Sequence, residues 1–267
     1  MTGTGTENDP FVVANWDDFL TIDTINTVYV KWQDIENKVI DFNEIKPDGF
    51  KERMIFPRYI DFNGWTLKNF HASGFDYVFY AHSSSNLVNL KNLIFENFYL
   101  TDCIRLFYYV NLENCIISGI FNSNSNMEIE SFGNITNSSF NIKAVTPAQF
   151  TFFNGKNYKI KNSDVRLDVS AKKINILNSE NCNAYNCRFS GKIESSSGEI
   201  TLKGDLGNIY NLEASDPLNY TGTGISVYNS DFATVTSSSN FNLKPCTSDE
   251  LKDPEFLYNL GFPIGID

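Results

Sequence analysis

The feature that most constrains this chain is a short pattern that returns every 21 to 25 residues. It reads apolar, any, Asn, small or apolar, any, apolar. Copies are Leu67-Lys68-Asn69-Phe70-His71-Ala72, Leu90-Lys91-Asn92-Leu93-Ile94-Phe95 and Leu112-Glu113-Asn114-Cys115-Ile116-Ile117. They continue with Ile135-Thr136-Asn137-Ser138-Ser139-Phe140, Ile160-Lys161-Asn162-Ser163-Asp164-Val165, Ala184-Tyr185-Asn186-Cys187-Arg188-Phe189 and Val227-Tyr228-Asn229-Ser230-Asp231-Phe232. A weaker copy at Leu206-Gly207-Asn208-Ile209-Tyr210-Asn211 loses the last apolar position. The Asn-to-Asn steps are 23, 22, 23, 25, 24, 22 and 21.

A period of this kind means stacked structural units. The residues one and three places after each Asn are small or apolar, and the one between is often polar, as in His71, Ser139, Asp164, Arg188 and Asp231. That alternation is a strand with one face inward. An apolar residue two places before the Asn marks a second inward strand. The Asn then occupies a tight corner, where it tolerates the left-handed backbone better than most residues. Its amide can bond to the Asn of the next coil. Asn69, Asn92, Asn114, Asn137, Asn162, Asn186 and Asn229 are therefore expected to form a structural ladder.

Helical repeats need longer periods and continuous amphipathic helices. Leucine-rich repeats have a suitable period, but Leu90, Leu93 and Phe95 are followed by Phe98 where that motif wants Asn. The pattern predicts an all-β fold, a single right-handed parallel β-helix with coils of about 23 residues. The Asn-corner repeat resembles the right-handed parallel β-helix (pectate-lyase-like) superfamily over residues 60–240. That superfamily includes pectate-lyase-like enzymes and many bacteriophage tail and surface proteins. The resemblance speaks to fold and is nearly silent on activity.

A β-helix must cover the open strand edges at its ends. Residues 1–60 are expected to form an N-terminal cap, with a short helix through Trp16, Phe19 and Leu20 begun by Asn15. Residues 61–244 form the solenoid. Residues 245–267 form a C-terminal lid or tail, with Asp253 as N-cap and Pro254 at the first helical position.

Composition narrows the partners. The net charge is −11, and no basic run is long enough to displace counterions from nucleic acid, so no nucleic-acid partner is expected. No apolar run approaches a membrane span, so no membrane partner is expected. Met1 is followed by Thr-Gly-Thr-Gly-Thr-Glu, which predicts synthesis without a signal peptide. The five cysteines match no zinc or redox spacing and are expected to be free thiols.

No catalytic set emerges. Polygalacturonase-like members need a cluster of three Asp with His-Gly and Arg-Ile-Lys segments. Here Asp17-Asp18 lies in the predicted cap, and neither His71 nor His82 precedes Gly. Glu128 and Glu130 share a strand face and read as solvated surface. Asp164 and Arg188 hold the same offset in neighbouring coils and read as a surface ion pair. Aromatics cluster at Phe107-Tyr108-Tyr109 and Phe150-Thr151-Phe152-Phe153. Alternation sends part of the first cluster outward, so Tyr108 and Tyr109 are the candidate binding residues. No metal site and no cofactor are expected.

The expectation is a non-catalytic structural or attachment protein of a bacteriophage virion. Its partners would be other virion proteins or a host surface carbohydrate, and it could assemble as a homotrimer. A tailspike-like polysaccharide depolymerase on the same fold is the alternative, and a bacterial surface adhesin the next.

Overall fold

A computed structural model describes residues 1–22, 29–45, 54–81, 87–155, 158–185 and 187–206. Beyond these it describes 208–209, 212–214, 218–221, 225–229, 235–237, 241–245, 249–250 and 253–259. Within these residues the chain is a parallel β-solenoid. Twenty-two strands join one hydrogen-bonded system, and Asn208–Ile209, Ile225–Asn229 and Phe241–Pro245 form a separate 3-stranded sheet.

One coil shows how the sequence makes the turn. From the Asn92 corner the chain runs through the strand Ile94–Thr101, kinked at Asn97. It turns at Asp102, runs through Arg105–Tyr108, turns at Tyr109, and runs through Val110–Glu113 to Asn114. Asn92, Asp102, Tyr109 and Asn114 have φ of 54°, 52°, 60° and 55°. Each corner is thus a left-handed residue, where Asn and Asp cost least among residues with a side chain. The coil stacks in parallel register, Leu90 on Leu112 and Ile116 on Ser139. From this coil to the one that carries Lys192, stacked positions lie 22 to 25 residues apart along the chain, whereas Tyr29 and Tyr59 in the first coils are 30 apart.

The interior is a continuous apolar column. Trp32 stacks on Phe62 with centroids 5.5 Å apart, and Phe79 on Phe107 at 5.3 Å. Aliphatic side chains join the rings further along, with Ile142, Leu167, Ile174 and Ile200 fully buried. Phe150, Phe152 and Phe153 all lie inside. Cys103, Cys115 and Cys187 are free thiols and buried, whereas the side chains of Cys182 and Cys246 lie outside the described residues.

The boundary expected at residue 60 is not a boundary of the sheet. Phe11–Val13 pairs in parallel with Tyr29–Trp32, and Tyr29 then stacks on Tyr59 and Tyr59 on Asn89. The coils therefore begin near residue 11. Capping is done by two smaller devices. The helix Trp16–Leu20, N-capped by Asn15 through a 2.8 Å bond from the Asp18 amide, buries Trp16 and Phe19 against Trp32. The first residues fold back antiparallel, with Thr2 and Val12 exchanging backbone bonds of 3.3 and 2.7 Å. This blocks the free edge of the first strand. At the other end the helix Pro254–Asn259 forms, and Asp253 accepts from the Glu255 amide at 2.9 Å.

Candidate functional site

The Asn row is structural, and its geometry is specific. Asn92 donates its amide to Asp61 at 2.8 Å, Asn114 to Asn92 at 3.3 Å, and Asn162 to Asn137 at 3.1 Å. Backbone bonds tie the same corners, as Asn92 N–H to the Glu113 carbonyl and Asn114 N–H to the Thr136 carbonyl, both 3.0 Å. Asn69 belongs elsewhere. It donates to Asp41 at 2.8 Å and accepts from Asn97, each 28 residues away. That second row marks the kink inside the long strand, so the 23-residue step from Asn69 to Asn92 joins two different corners. The Asn69 amide is the main reason the Asp41 carboxyl sits below its ordinary value, with the Asn43 amide and Lys68 adding to it. Asn186 lies outside the described residues. Asn229 ends the strand Ile225–Asn229, and its side chain is not described.

An inner row that the sequence signalled only as small residues stands beside the Asn row. Ser138 and Ser163 each follow a corner and are buried. The Ser138 hydroxyl accepts from the Cys115 amide at 3.1 Å and donates to the Thr136 carbonyl at 2.8 Å. The Ser163 hydroxyl repeats this one coil further, with the Ser138 amide and the Lys161 carbonyl. The buried amides of Cys115 and Ser138, one place after their corners, are thereby satisfied.

Tyr108 and Tyr109 do different work. Tyr109 is itself a left-handed corner, and Phe132 with φ 65° fills the equivalent corner of the next coil. The two rings stack at 5.1 Å. Tyr108 faces outward and half-buried, stacked on Tyr77 at 4.5 Å. The Arg105 guanidinium lies 5.5 Å from the Tyr77 ring and 5.1 Å from the Tyr108 ring. Arg105 also donates to Glu128 at 2.7 Å, and Asn154 donates to the other oxygen of that carboxylate at 3.1 Å. Burial, then the hydroxyl of Tyr109, push the Tyr108 phenol up to about 12. This cluster is internally paired.

The two glutamates read as solvated surface are not solvated. Glu128 is held by Arg105, and Glu130 is fully buried in register with Phe107 and Phe153. Asp164 does stand in register with Arg188, whose side chain is not described.

A concave site lies near the N-terminus, where sequence reasoning placed only a cap. The fold-back carries Glu7 and Pro10 over the outer face of the sheet and encloses a cleft of about 400 Å³. One wall is Tyr29, Tyr59 and Asn89, vertically stacked; the two rings are parallel within 6° at 4.4 Å. Beside it on the same sheet face stand Lys31, Asp61, Lys91 and Glu113, also stacked, so the sign alternates coil by coil. Lys91 bonds Glu113 at 2.7 Å. Asp61 accepts the Asn63 and Asn92 N–H groups through one oxygen, each at 2.8 Å. The Tyr29 phenol is held above its ordinary value, by desolvation first and then by the Glu7 carboxylate and the Tyr59 phenol. The signal for this site was the outward tyrosines at 29 and 59, but their 30-residue step hides them from a 23-residue period.

Among the described residues, no group of three or more His, Cys, Asp or Glu is placed to hold a metal ion, and no helix is long and apolar enough to cross a membrane. No family model, no curated protein and no solved structure matches this chain.

Proposed function

We propose that the protein is a non-catalytic attachment or structural component of a bacteriophage particle, and that its cleft holds a glycan of the host surface. The observation that carries this reading is the cleft itself. Its walls place phenol, amide, ammonium and carboxylate groups at the coil spacing of about 4.8 Å. Sugar hydroxyls both donate and accept, so alternating donors and acceptors at short spacing suit them. A cleft of this volume is in the range of small-ligand sites. The solenoid supports the reading mechanically, because successive described coils are bonded through the parallel backbone ladder, and Asn side chains add bonds such as Asn114 to Asn92. Placement in a particle rests on the resemblance of the Asn-corner repeat to phage β-helices.

The test is a glycan-array screen followed by calorimetry with any hit. Tyr29→Ala and Tyr59→Ala should each weaken binding at least tenfold, and Tyr108→Ala should leave it unchanged. Equal loss in all three variants, or no hit on bacterial surface glycans, would overturn the cleft assignment. Absence of the protein from purified particles would remove the virion placement. A second reading has its own observation: Glu7, Asp61 and Glu113 bring three carboxylates to the cleft. Release of new reducing ends from a bound polysaccharide, abolished by Asp61→Asn or Glu113→Gln, would establish a depolymerase instead.

A further inference from the structure

We propose that the outer face carried by the strands Ile94–Thr101, Ile116–Asn122 and Ser139–Asn154 joins two copies of this chain in an antiparallel dimer. The outward positions of this face are Ile94, Glu96, Tyr99 and Thr101 in one coil, then Ile116, Ser118, Ile120 and Asn122, then Ser139, Asn141, Lys143 and Val145. Four large apolar residues stand exposed there: Tyr99 at 40%, Ile116 at 49%, Ile120 at 37% and Val145 at 58%. They account for half of the eight large apolar residues exposed among the described ones, and they are gathered on three successive coils. Exposed apolar residues scattered singly need no explanation, but four gathered on one face over three successive coils do.

The occupant follows from the charges around the patch. The coil before it presents Lys68 and His71, and the coil after it presents Arg166 and Asp168. A two-fold axis along the strand Ile116–Asn122 reverses the coil order and keeps each strand position. It brings Ile116 and Ile120 onto their own copies at the centre. It sets Tyr99 against the partner copy's Lys143, a cation over a ring. It sets His71 against the partner copy's Asp168. At the rim it opposes Lys68 and Arg166, each of which already has an acid, Asp41 at 3.2 Å and Asp168 at 3.6 Å. An isologous contact needs this kind of self-complementarity.

The area is sufficient. Five coils at about 4.8 Å and seven residues at about 3.3 Å span a footprint on the order of 550 Å² per copy. Two such faces bury roughly 1,100 Å², just above what specific association requires. The dimer should therefore be reversible and concentration-dependent. This inference does not depend on the cleft, which lies on a different face.

Sedimentation of the full chain across a concentration series should show monomer passing to dimer. Ile120→Lys, at an exposed position, should weaken that association at least tenfold with unchanged circular dichroism. A thiol crosslinking experiment reads the symmetry. With a short bis-maleimide, Ile120→Cys on the axis should give a covalent dimer. Ser170→Cys, whose own copy lies about 19 Å away along the face in this arrangement, should not, and the parent protein sets the background from native thiols. A monomer at every concentration, a trimer, association untouched by Ile120→Lys, or crosslinking of Ser170→Cys as efficient as that of Ile120→Cys would each overturn the proposal.

Discussion

Replacing Gly119 with Ala should destabilise the solenoid markedly. A Cβ at Gly119 would lie 2.5 Å from both the Phe98 carbonyl oxygen and the Phe98 Cγ, and 2.7 Å from its Cδ1. Phe98 is buried and stacked on Phe95 at 5.0 Å, so its ring cannot swing away without opening the core. The carbonyl belongs to the ladder and cannot move at all without breaking register. Overpacking of this kind costs about 3 kcal/mol, and for a chain of this size each kcal/mol lowers Tm by roughly 2–4 °C. The expected fall is therefore roughly 6–12 °C. Gly74→Ala is the matched control: its φ is 77° but nothing lies within 4 Å, so only the left-handed penalty of about 1–2 kcal/mol applies. Phe98→Leu in the Gly119→Ala background removes the ring clash and leaves the carbonyl clash. The double variant should then lose at least ~1 kcal/mol less than the two single losses together. Repeat proteins do not always unfold in one step, so hydrogen exchange of the strand Ile116–Asn122 should be read beside the melt. A Gly119→Ala shift no larger than that of Gly74→Ala, or strict additivity with Phe98→Leu, would refute the packing argument.

Three further outcomes are expected. Asn114→Ala loses both the amide bond to Asn92 and the tolerance of φ 55°, and should cost about 2 kcal/mol, while Asn114→Gly keeps the backbone and should cost nearer ~1 kcal/mol in urea unfolding; equal losses would remove the corner explanation. Burial raises the Cys115 thiol to about 12; the unfolded chain ionises first, so stability should be intact below pH about 9 and fall as pH rises from there toward 12, and Cys115→Ala should flatten that fall in a pH series of melts. Arg105→Lys keeps the charge but loses the planar fork between the two tyrosines and part of the bond to Glu128, and should cost about 1–2 kcal/mol by thermal unfolding; a loss under ~0.3 kcal/mol would mean the cluster is not held by Arg105.

The legible part of the fold is the stretch where one residue type answers one backbone demand. Asn92, Asn114, Asn137 and Asn162 all sit at φ between 48° and 55°, and a left-handed corner repeated once per coil leaves a readable trace. Where two corners use the same residue the trace misleads, and Asn69 entered the row for that reason. Tyr109 and Phe132 hold the same kind of backbone with rings that propensity would not place there. Their stacking on one another, and the packing of Tyr109 against the core, override the local preference. The first coils escaped notice because their steps depart from the period, 19 residues from Phe11 to Val30 and 30 from Tyr29 to Tyr59. The cleft was invisible for the same reason, since both its tyrosines and its fold-back lie in those coils. Glu130 shows a limit of alternation: the strand Met127–Ser131 buries two successive residues, Ile129 and Glu130, which a period of two does not anticipate.

The unequal coils joined by equal corners bear on how such a chain can change over generations. Asn114 bonds Asn92 across 22 residues and Asn162 bonds Asn137 across 25, yet the two corner amide bonds are 3.3 and 3.1 Å. An inserted or deleted codon can thus be absorbed within a single turn, because the next left-handed Asn resets the phase before the error reaches its neighbour. A closed barrel or a sandwich has no such reset, and a one-residue slip there inverts every side chain downstream in the strand. Descendants of this chain can therefore diverge in length between corners while keeping their stack, which erodes sequence likeness faster than it erodes shape.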